Sequence, residues 1–584
     1  MDQKRLFLAI AISVVILAIS QILLPHPHHP PVAPPTQTQT APKPSNTVGV
    51  VPQDAGLAPV TSPHEVPRVK ISADRVQGSI SLVGARLDDL VLRDFKETLA
   101  PDSPLVRLFE PKTDPQPYYA QFGWSALSGN TAIKLPGSDT LWTASSDTLS
   151  TGHPVTLSWS NGQGQTFEIA LAIDDNYMFT AQQTVRNTGA AALTLTPWAR
   201  ILRGYTPKVA GYYILHEGLI GVLDGKLEEM KYSAAKSDGE KHDGVAFTAT
   251  TTGGWAGITD KYWLAALVPA EGQPVTATFR TLTDRLSDGT EAEGYQTDFS
   301  NASPITVPPA GDVTTVMRLF AGAKEVHLLD HYEAEYHIPS FWKAVDFGWF
   351  WFITRPFFYA IDWLYRQTGN FGVAILIFTA FIKLLFFPLA NYSYRSMSKM
   401  KLLAPKMTAL REQYKDEPQK LQGEMMRLYK LEKVNPASGC LPMLVQIPVF
   451  FSLYKVIFVT IEMRQAPFFG WIRDLSAVDP TNVFNLFGLL PFDPTTISPL
   501  LHLGAWPLIM GFTMWGQQRL NPPPPDPMQA KLFQFMPLIF TFMLARFPAG
   551  LVIYWTWNNL LTICQQWLIM RQTKLSRPSL ARTT

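Results

Sequence analysis

The stretch FGVAILIFTAFIKLLFFPLA, residues Phe371–Ala390, constrains this chain more than any other. A run of that length and apolarity is what a helix needs to cross a hydrocarbon core of about 30 Å. One charge, Lys383, interrupts it. A lysine at the centre of a membrane helix costs about 2.5–3.5 kcal/mol on insertion scales, so its presence implies a use. Thr379 stands four residues earlier, on the same helix face. Together they predict one polar stripe on an apolar span, and a polar or wet partner inside the bilayer.

The rest of the 584-residue chain falls into unlike parts, which a mean hydropathy of +0.03 averages away. Apolar runs crowd at the N-terminus and after Phe341, and the middle is polar. A net charge of +2 gives no reason to expect a specific nucleic-acid partner. The two cysteines, Cys440 and Cys564, both fall in the apolar C-terminal part, which excludes a disulfide scaffold for the polar middle.

Lys4 and Arg5 precede the charge-free apolar run Leu6–Leu24. Residues 1–24 therefore read as an uncleaved anchor with a cytoplasmic N-terminus. Residues 25–67 are rich in Pro, Thr and Gln and read as an extended linker, its His26, His28 and His29 simply solvated. Over residues 68–335 the hydrophobic period is two. Val155, Leu157 and Trp159 alternate, as do Phe167, Ile169, Leu171 and Ile173. Asn161-Gly162 and Thr252-Gly253-Gly254 punctuate the runs. The pattern predicts a large all-β sandwich. It contains no phosphate-binding GxxxxGK[ST], no GxSxG elbow and no HExxH. His331, Glu333, Glu335 and His337 read as a solvated segment rather than a metal site, and His216-Glu217 as a very weak acid/base signal.

Residues 336–368 mix aromatics (Trp342, Trp349, Trp351, Trp363) with Lys343, Asp346, Arg355 and Asp362. That mixture suits an amphipathic helix at the membrane interface, with a break expected near Pro356. Residues 369–571 form the membrane core. After the first span, Arg395–Lys433 holds ten Lys/Arg against five Asp/Glu. Met397, Met400, Met407 and Leu410, then Leu421, Met425 and Leu428, recur at helical spacing, which predicts a cytoplasmic two-helix hairpin over 391–436. Leu441–Met463, Pro499–Gln518, Gln529–Ala545 and Ala549–Met570 are the further spans. With the anchor they make six, and the basic tail 572–584 lies inside by charge bias.

Trp555, Asn559, Thr562 and Gln566 share one face of the last span, and Gln446 adds polarity to the third. Polar faces on several helices predict one hydrated cavity, with interhelical hydrogen bonds the blander alternative. No span carries a central acid to pair with Lys383. Lys455 is a second intramembrane cation, read either as groove-facing or as snorkelling.

The runs RSMSKMKLLAPKM, EMMRLYKLEKVNPASGCLPMLVQIPVFFSLY, MRQAPFFGWIRDLSAVDP, DPMQAKLFQFMPLIFT and FPAGLVIYW resemble the YidC family of membrane protein insertases. GWAGITDKYWLAALVP, Gly254–Pro269, is similar too, and the layout resembles the Gram-negative form. The resemblance implies a multi-domain membrane protein: an all-β periplasmic supersandwich, akin to sugar-mutarotase folds, on an α-helical polytopic core. It implies insertion and folding of client helices through a hydrophilic groove, with no cofactor, metal or covalent catalysis. It implies as partners nascent clients, the Sec translocon, the ribosome, the signal-recognition receptor and membrane lipids. The family's groove cation is usually Arg, and its position here is Lys383; the charge is kept but the planar fork is lost. Gln446 matches a groove glutamine, and a client-contacting tyrosine pair falls on Tyr554 and Trp555, the second position departing from Tyr. Lys399, Lys401 and Lys406 give the hairpin a basic docking face. A transporter would share the polar midplane, but no inverted repeat is evident. An anchored sugar enzyme would share the sandwich, but not the need for a polar membrane core.

Overall fold

The structure, a computed structural model, describes residues 51, 66–126, 133–209, 215–285, 291–415, 417–432, 441–498, 501–520 and 527–575. The expected anchor, most of the linker and the end of the tail lie outside these residues.

Period-two alternation builds the first half. In the strand Gln165–Ile173, Phe167, Ile169, Leu171 and Ile173 are buried and the residues between them half-buried. The twenty strands among the described residues form two sheets, one of eleven and one of nine. Their inner faces share a core, where Trp124 of the larger sheet meets Phe167 of the smaller edge to face at 5.2 Å. Gln183 crosses between the sheets and donates to the carbonyls of Gly123, at 2.9 Å, and Trp198, at 3.3 Å. The smaller sheet is closed by pairing Met178–Asn187 with Gly311–Ala323, strands distant in sequence.

Helices follow the sheets. Helix α1, Tyr232–Gly239, is an insertion within the sandwich; α2 is Val326–Glu335 and α3 is Trp351–Thr368. Then come α4, Phe371–Leu385; α5, Phe387–Gln413; α6, Pro418–Leu431; and α7, Leu441–Val459. The last three are α8, Ala505–Leu520; α9, Pro527–Leu544; and α10, Ala549–Leu575.

Three expectations are corrected. Helix α3 runs through Pro356 without a break. That proline sits in the second turn, where its missing N–H releases only the carbonyl of Phe352, an exposed residue. The chain breaks instead at Gly369, φ +69°, and Asn370, whose side chain accepts from the Val373 N–H at 3.1 Å and caps α4. Second, the Phe371–Ala390 run is not one straight helix. Helix α4 stops at Leu385 and α5 leaves at 65°. Pro388 accounts for the break, since it has no N–H to continue the ladder and suits the first turn of a new helix. Fifteen residues rise only about 22 Å, so Lys383 lies in the last turn of a short helix rather than at the centre of a long one. A cation is favoured there by the helix dipole. Third, the basic hairpin is fed by a helix that begins at Phe387, before the apolar run has ended.

Among the described residues no single helix is long and apolar enough by itself to cross a membrane, and the bent pair α4–α5 is the one combination that is. Shorter apolar helices cover Leu444–Val459 and Ala530–Leu544.

A polar seam fixes the sandwich to the helices. Lys455, near the end of α7, neither faces a groove nor snorkels: its Nζ pairs with Asp346 Oδ2 at 2.8 Å. The same carboxylate accepts from the backbone N–H groups of His216, at 3.1 Å, and Gly348, at 3.0 Å. Gly348 has φ +73°, and a Cβ there would lie 2.8 Å from the Lys455 side chain. Glu462, just beyond α7, accepts from the Val326 N–H at 2.9 Å and so caps α2. Arg464 donates to the carbonyls of Lys96 and Glu97 at the rim of the larger sheet, and Arg355 of α3 pairs with Asp330 of α2 at 2.6 Å.

Candidate functional site

The candidate site is built where α4, α5, α7 and α10 meet. A small cavity of about 40 Å³, partly open to the outside, is lined by Lys383, Tyr394, Gln446, Val449 and Gln565, with Phe386 at the break between α4 and α5. Lys383 Nζ donates to Thr562 Oγ1 at 3.0 Å and, more weakly, to Gln446 Oε1 at 3.4 Å. The Gln446 amide then donates to the Tyr554 hydroxyl at 2.7 Å. Thr562 in turn donates to the Asn558 carbonyl at 2.7 Å. One chain of hydrogen bonds therefore joins α7, α4 and α10, and every partner it gives the ammonium is neutral.

The break after Leu385 helps to make this site. It frees carbonyls in the last turn of α4 that a continuous helix would have used. Gln565 Nε2 donates to one of them, the Lys383 carbonyl, at 3.2 Å. Trp557 Nε1 donates to another α4 carbonyl, that of Leu376, at 3.1 Å. Reading the last span by one helical face did not single out Gln565 or Trp557. For Gln565 the available signal was the X-Pro step at Phe387-Pro388, which marks where backbone acceptors fall free; nothing local marked Trp557, whose partner lies in mid-helix.

The residues expected to share this cavity are only partly brought together. Lys383 and Gln446 line it, and Thr562 and Tyr554 stand behind them as partners. Thr379 is buried and donates to the Ile375 carbonyl of its own helix at 2.7 Å. Asn559 turns toward α8, donating to Thr513 at 3.2 Å. Trp555 packs on Phe450, at 4.6 Å between rings, and on Phe540, at 5.9 Å. Gln566 is buried and does not line the cavity. The polar side of α10 is therefore divided between α4 and α7 on one hand and α8 on the other. Ser452 of α7 is buried and its hydroxyl makes no hydrogen bond among the described residues.

On the hairpin, Lys399 is exposed, and Lys406 is exposed but paired with Glu432 at 2.8 Å. The side chain of Lys401 lies outside the described residues. Tyr429 of α6 reaches Met407 of α5 at 3.8 Å, so the methionine seam is part of the packing between the two helices.

In the sandwich, His216 and Glu217 point apart. His216 is buried and its Nε2 lies 2.9 Å from the Leu219 carbonyl, whereas Glu217 accepts from the Lys261 N–H at 3.2 Å. Burial pushes the His216 imidazole down to about 4. His331 pairs with Glu335 along α2 at 3.0 Å and His337 with Glu271 at 3.4 Å, all of them exposed.

The family described as "YidC periplasmic domain" matches residues 68–360, and the family described as "60Kd inner membrane protein" matches residues 363–577. A membrane protein insertase YidC from Granulibacter bethesdensis is 62% identical over 584 residues, covering 100% of both chains. Its counterpart from Acidiphilium cryptum is 56% identical over 513 residues, 87% of this chain and 85% of its own. Among solved structures, an active YidC insertase with its first transmembrane domain resolved aligns at 18% identity and a TM-score of 0.34, covering 86% of this chain and 92% of its own.

Proposed function

This chain belongs to the YidC family of membrane protein insertases, and on that premise we propose that it inserts and helps to fold client transmembrane helices at the Lys383 cavity. The observation that carries this reading is the ammonium of Lys383, hydrogen-bonded to neutral Gln446 and Thr562 beside an open cavity. A cation so placed keeps its positive potential for an acidic visitor. The polar flank of a client crosses a shorter stretch of hydrocarbon when it enters at a helix as short as α4. The client's apolar segment then partitions into lipid, and its own hydrophobicity drives the step. No bond is made or broken and no nucleotide is consumed.

The same reading gives the rest of the chain its place. Six spans hold both termini in the cytoplasm, the sandwich lies in the periplasm, and the α5–α6 hairpin stands on the cytoplasmic side. Lys399, Lys401 and Lys406 meet the ribosome or the signal-recognition receptor there, and the helices work alone or beside the Sec translocon.

The test is reconstitution of the pure protein in liposomes with a small client and no nucleotide. Insertion is expected, together with reaction of a Lys383→Cys thiol with a water-soluble maleimide from the hairpin side. Failure to insert, with the thiol protected, would refute the reading.

A further inference from the structure

The loop between α7 and α8 carries a surface that the proposed function does not use. From Val483 to Ile497 the chain has one charge, Asp493. Leu486, Phe487, Leu489, Phe492 and Ile497 are all exposed, Leu489 at 81% and Ile497 at 74%. A patch of neighbouring apolar side chains is costly to leave in water and marks an interaction surface. The tip is also sharply turned: Leu486 and Phe487 take φ of +53° and +59°, followed by Gly488 at +95°. Two large apolar residues in the left-handed region are uncommon and uphill.

Three observations bear on what covers this surface. The loop is anchored to the start of α8: the Val483 N–H donates to the Leu503 carbonyl at 2.9 Å and Asn482 Nδ2 to the Leu501 carbonyl at 2.7 Å. Buried Asp479 accepts from the Trp506 N–H at 2.9 Å, within the first turn of α8. Helix α8 itself exposes Ile509, Phe512 and Trp515, Phe512 at 73%, so the apolar loop continues an apolar helix surface. Finally, Trp349, 95% exposed, adjoins Gly348, which packs on Lys455 near the end of α7. The interfacial aromatics that precede α3 thus gather at the same end of the bundle as the loop.

We propose that the Val483–Ile497 loop is a lipid anchor whose apolar tip enters the acyl region of the leaflet facing the sandwich. The proposal rests on the reading that α7 and α8 cross the bilayer. Its occupant is the lipid acyl chain, and the scarcity of charge suits that occupant, since a headgroup or a polar protein surface would call for more donors or charges. With the aromatics before α3, the loop gives the helices a second hold at one membrane face and fixes their height in the bilayer.

The experiment uses the full chain in proteoliposomes, with Cys440 and Cys564 replaced by serine. A thiol is placed by Leu489→Cys and labelled with a polarity-sensitive fluorophore. Phe512→Cys on α8 serves as the lipid control and Asp139→Cys on the sandwich as the water control. The expected result is blue-shifted emission from the Leu489 site, strong loss of signal with lipids carrying a nitroxide high on the acyl chain, and little loss with iodide. Emission and iodide quenching like the Asp139 site would overturn the proposal. So would a shielded fluorophore that nitroxide lipids do not quench, which would mean a protein or a second copy covers the loop. If the Phe512 site also reads as water, the crossing of α8 is what fails, and the two failures are told apart.

Discussion

The Lys455–Asp346 pair should couple the sandwich to the helices by an amount a double-mutant cycle can measure. Its two side chains are 12% and 19% exposed, so the pair is largely desolvated. Removing one partner of such a pair costs about 3–5 kcal/mol, mostly through the charge left behind. Lys455→Met leaves the carboxylate with two backbone donors, from His216 and Gly348, which holds the loss near about 3 kcal/mol. Asp346→Asn should cost a similar amount, since it strands the ammonium. The double variant strands neither charge and should lose well under the sum, a coupling of about 2 kcal/mol. The assay is urea unfolding of the full chain in detergent micelles, followed by tryptophan emission. If the single losses add to within about 0.5 kcal/mol, the ion pair is not what joins the two parts and Asp346 acts only as a backbone acceptor.

Four further outcomes are expected. In the liposome insertion assay, Lys383→Arg should be nearly silent, Lys383→Leu should impair clients with acidic tails while sparing apolar ones, and Lys383→Glu should be worse for the acidic clients through like-charge repulsion. Reversing the charge of Lys399, Lys401 and Lys406 should weaken ribosome co-sedimentation, with the largest difference at low salt where screening is least; the same binding at every salt concentration would leave the hairpin as packing alone. For His216, the folded value of about 4 lies below the 6.5 of the free side chain. The unfolded chain therefore binds the extra proton, and stability should fall as pH drops through that window, by up to about 3 kcal/mol at its lower end; His216→Gln should flatten the urea midpoint against pH. Deleting the sandwich from Arg68 while keeping α2 should spare insertion, whereas a deletion running through Leu329 should lower the amount of protein in the membrane, because it removes the Val326 N–H that bonds buried Glu462 Oε1.

Local pattern made the sandwich and the approximate bounds of α7, α9 and α10 legible in the sequence. Alternation over Gln165–Ile173 requires only that one face be buried, and it is. The site was legible as a set of residue types: Lys383, Gln446, Tyr554 and Thr562 do meet. Its geometry was not. Helical phase places Thr379 beneath Lys383, but a threonine hydroxyl in an apolar helix can bond back to its own carbonyl four residues earlier, and Thr379 does so. The Lys455–Asp346 pair joins two segments more than a hundred residues apart, and nothing local to either tells which charge the other will find. Pro388 was visible in the sequence, but its effect on the apolar run depended on where α5 had to go.

The pairing of Met178–Asn187 with Gly311–Ala323 has a consequence for biogenesis. Contacts between strands so distant along the chain carry a large loop-closure cost and make folding slow. In the topology proposed above, the smaller sheet stays open until its final strand has been exported, a few residues ahead of α2. Maturation of the sandwich therefore precedes its docking on α7, which waits for the later synthesis of Leu441–Val459. Until that final strand arrives, Met178–Asn187 presents an unpaired edge that an export chaperone or a neighbouring nascent chain can capture.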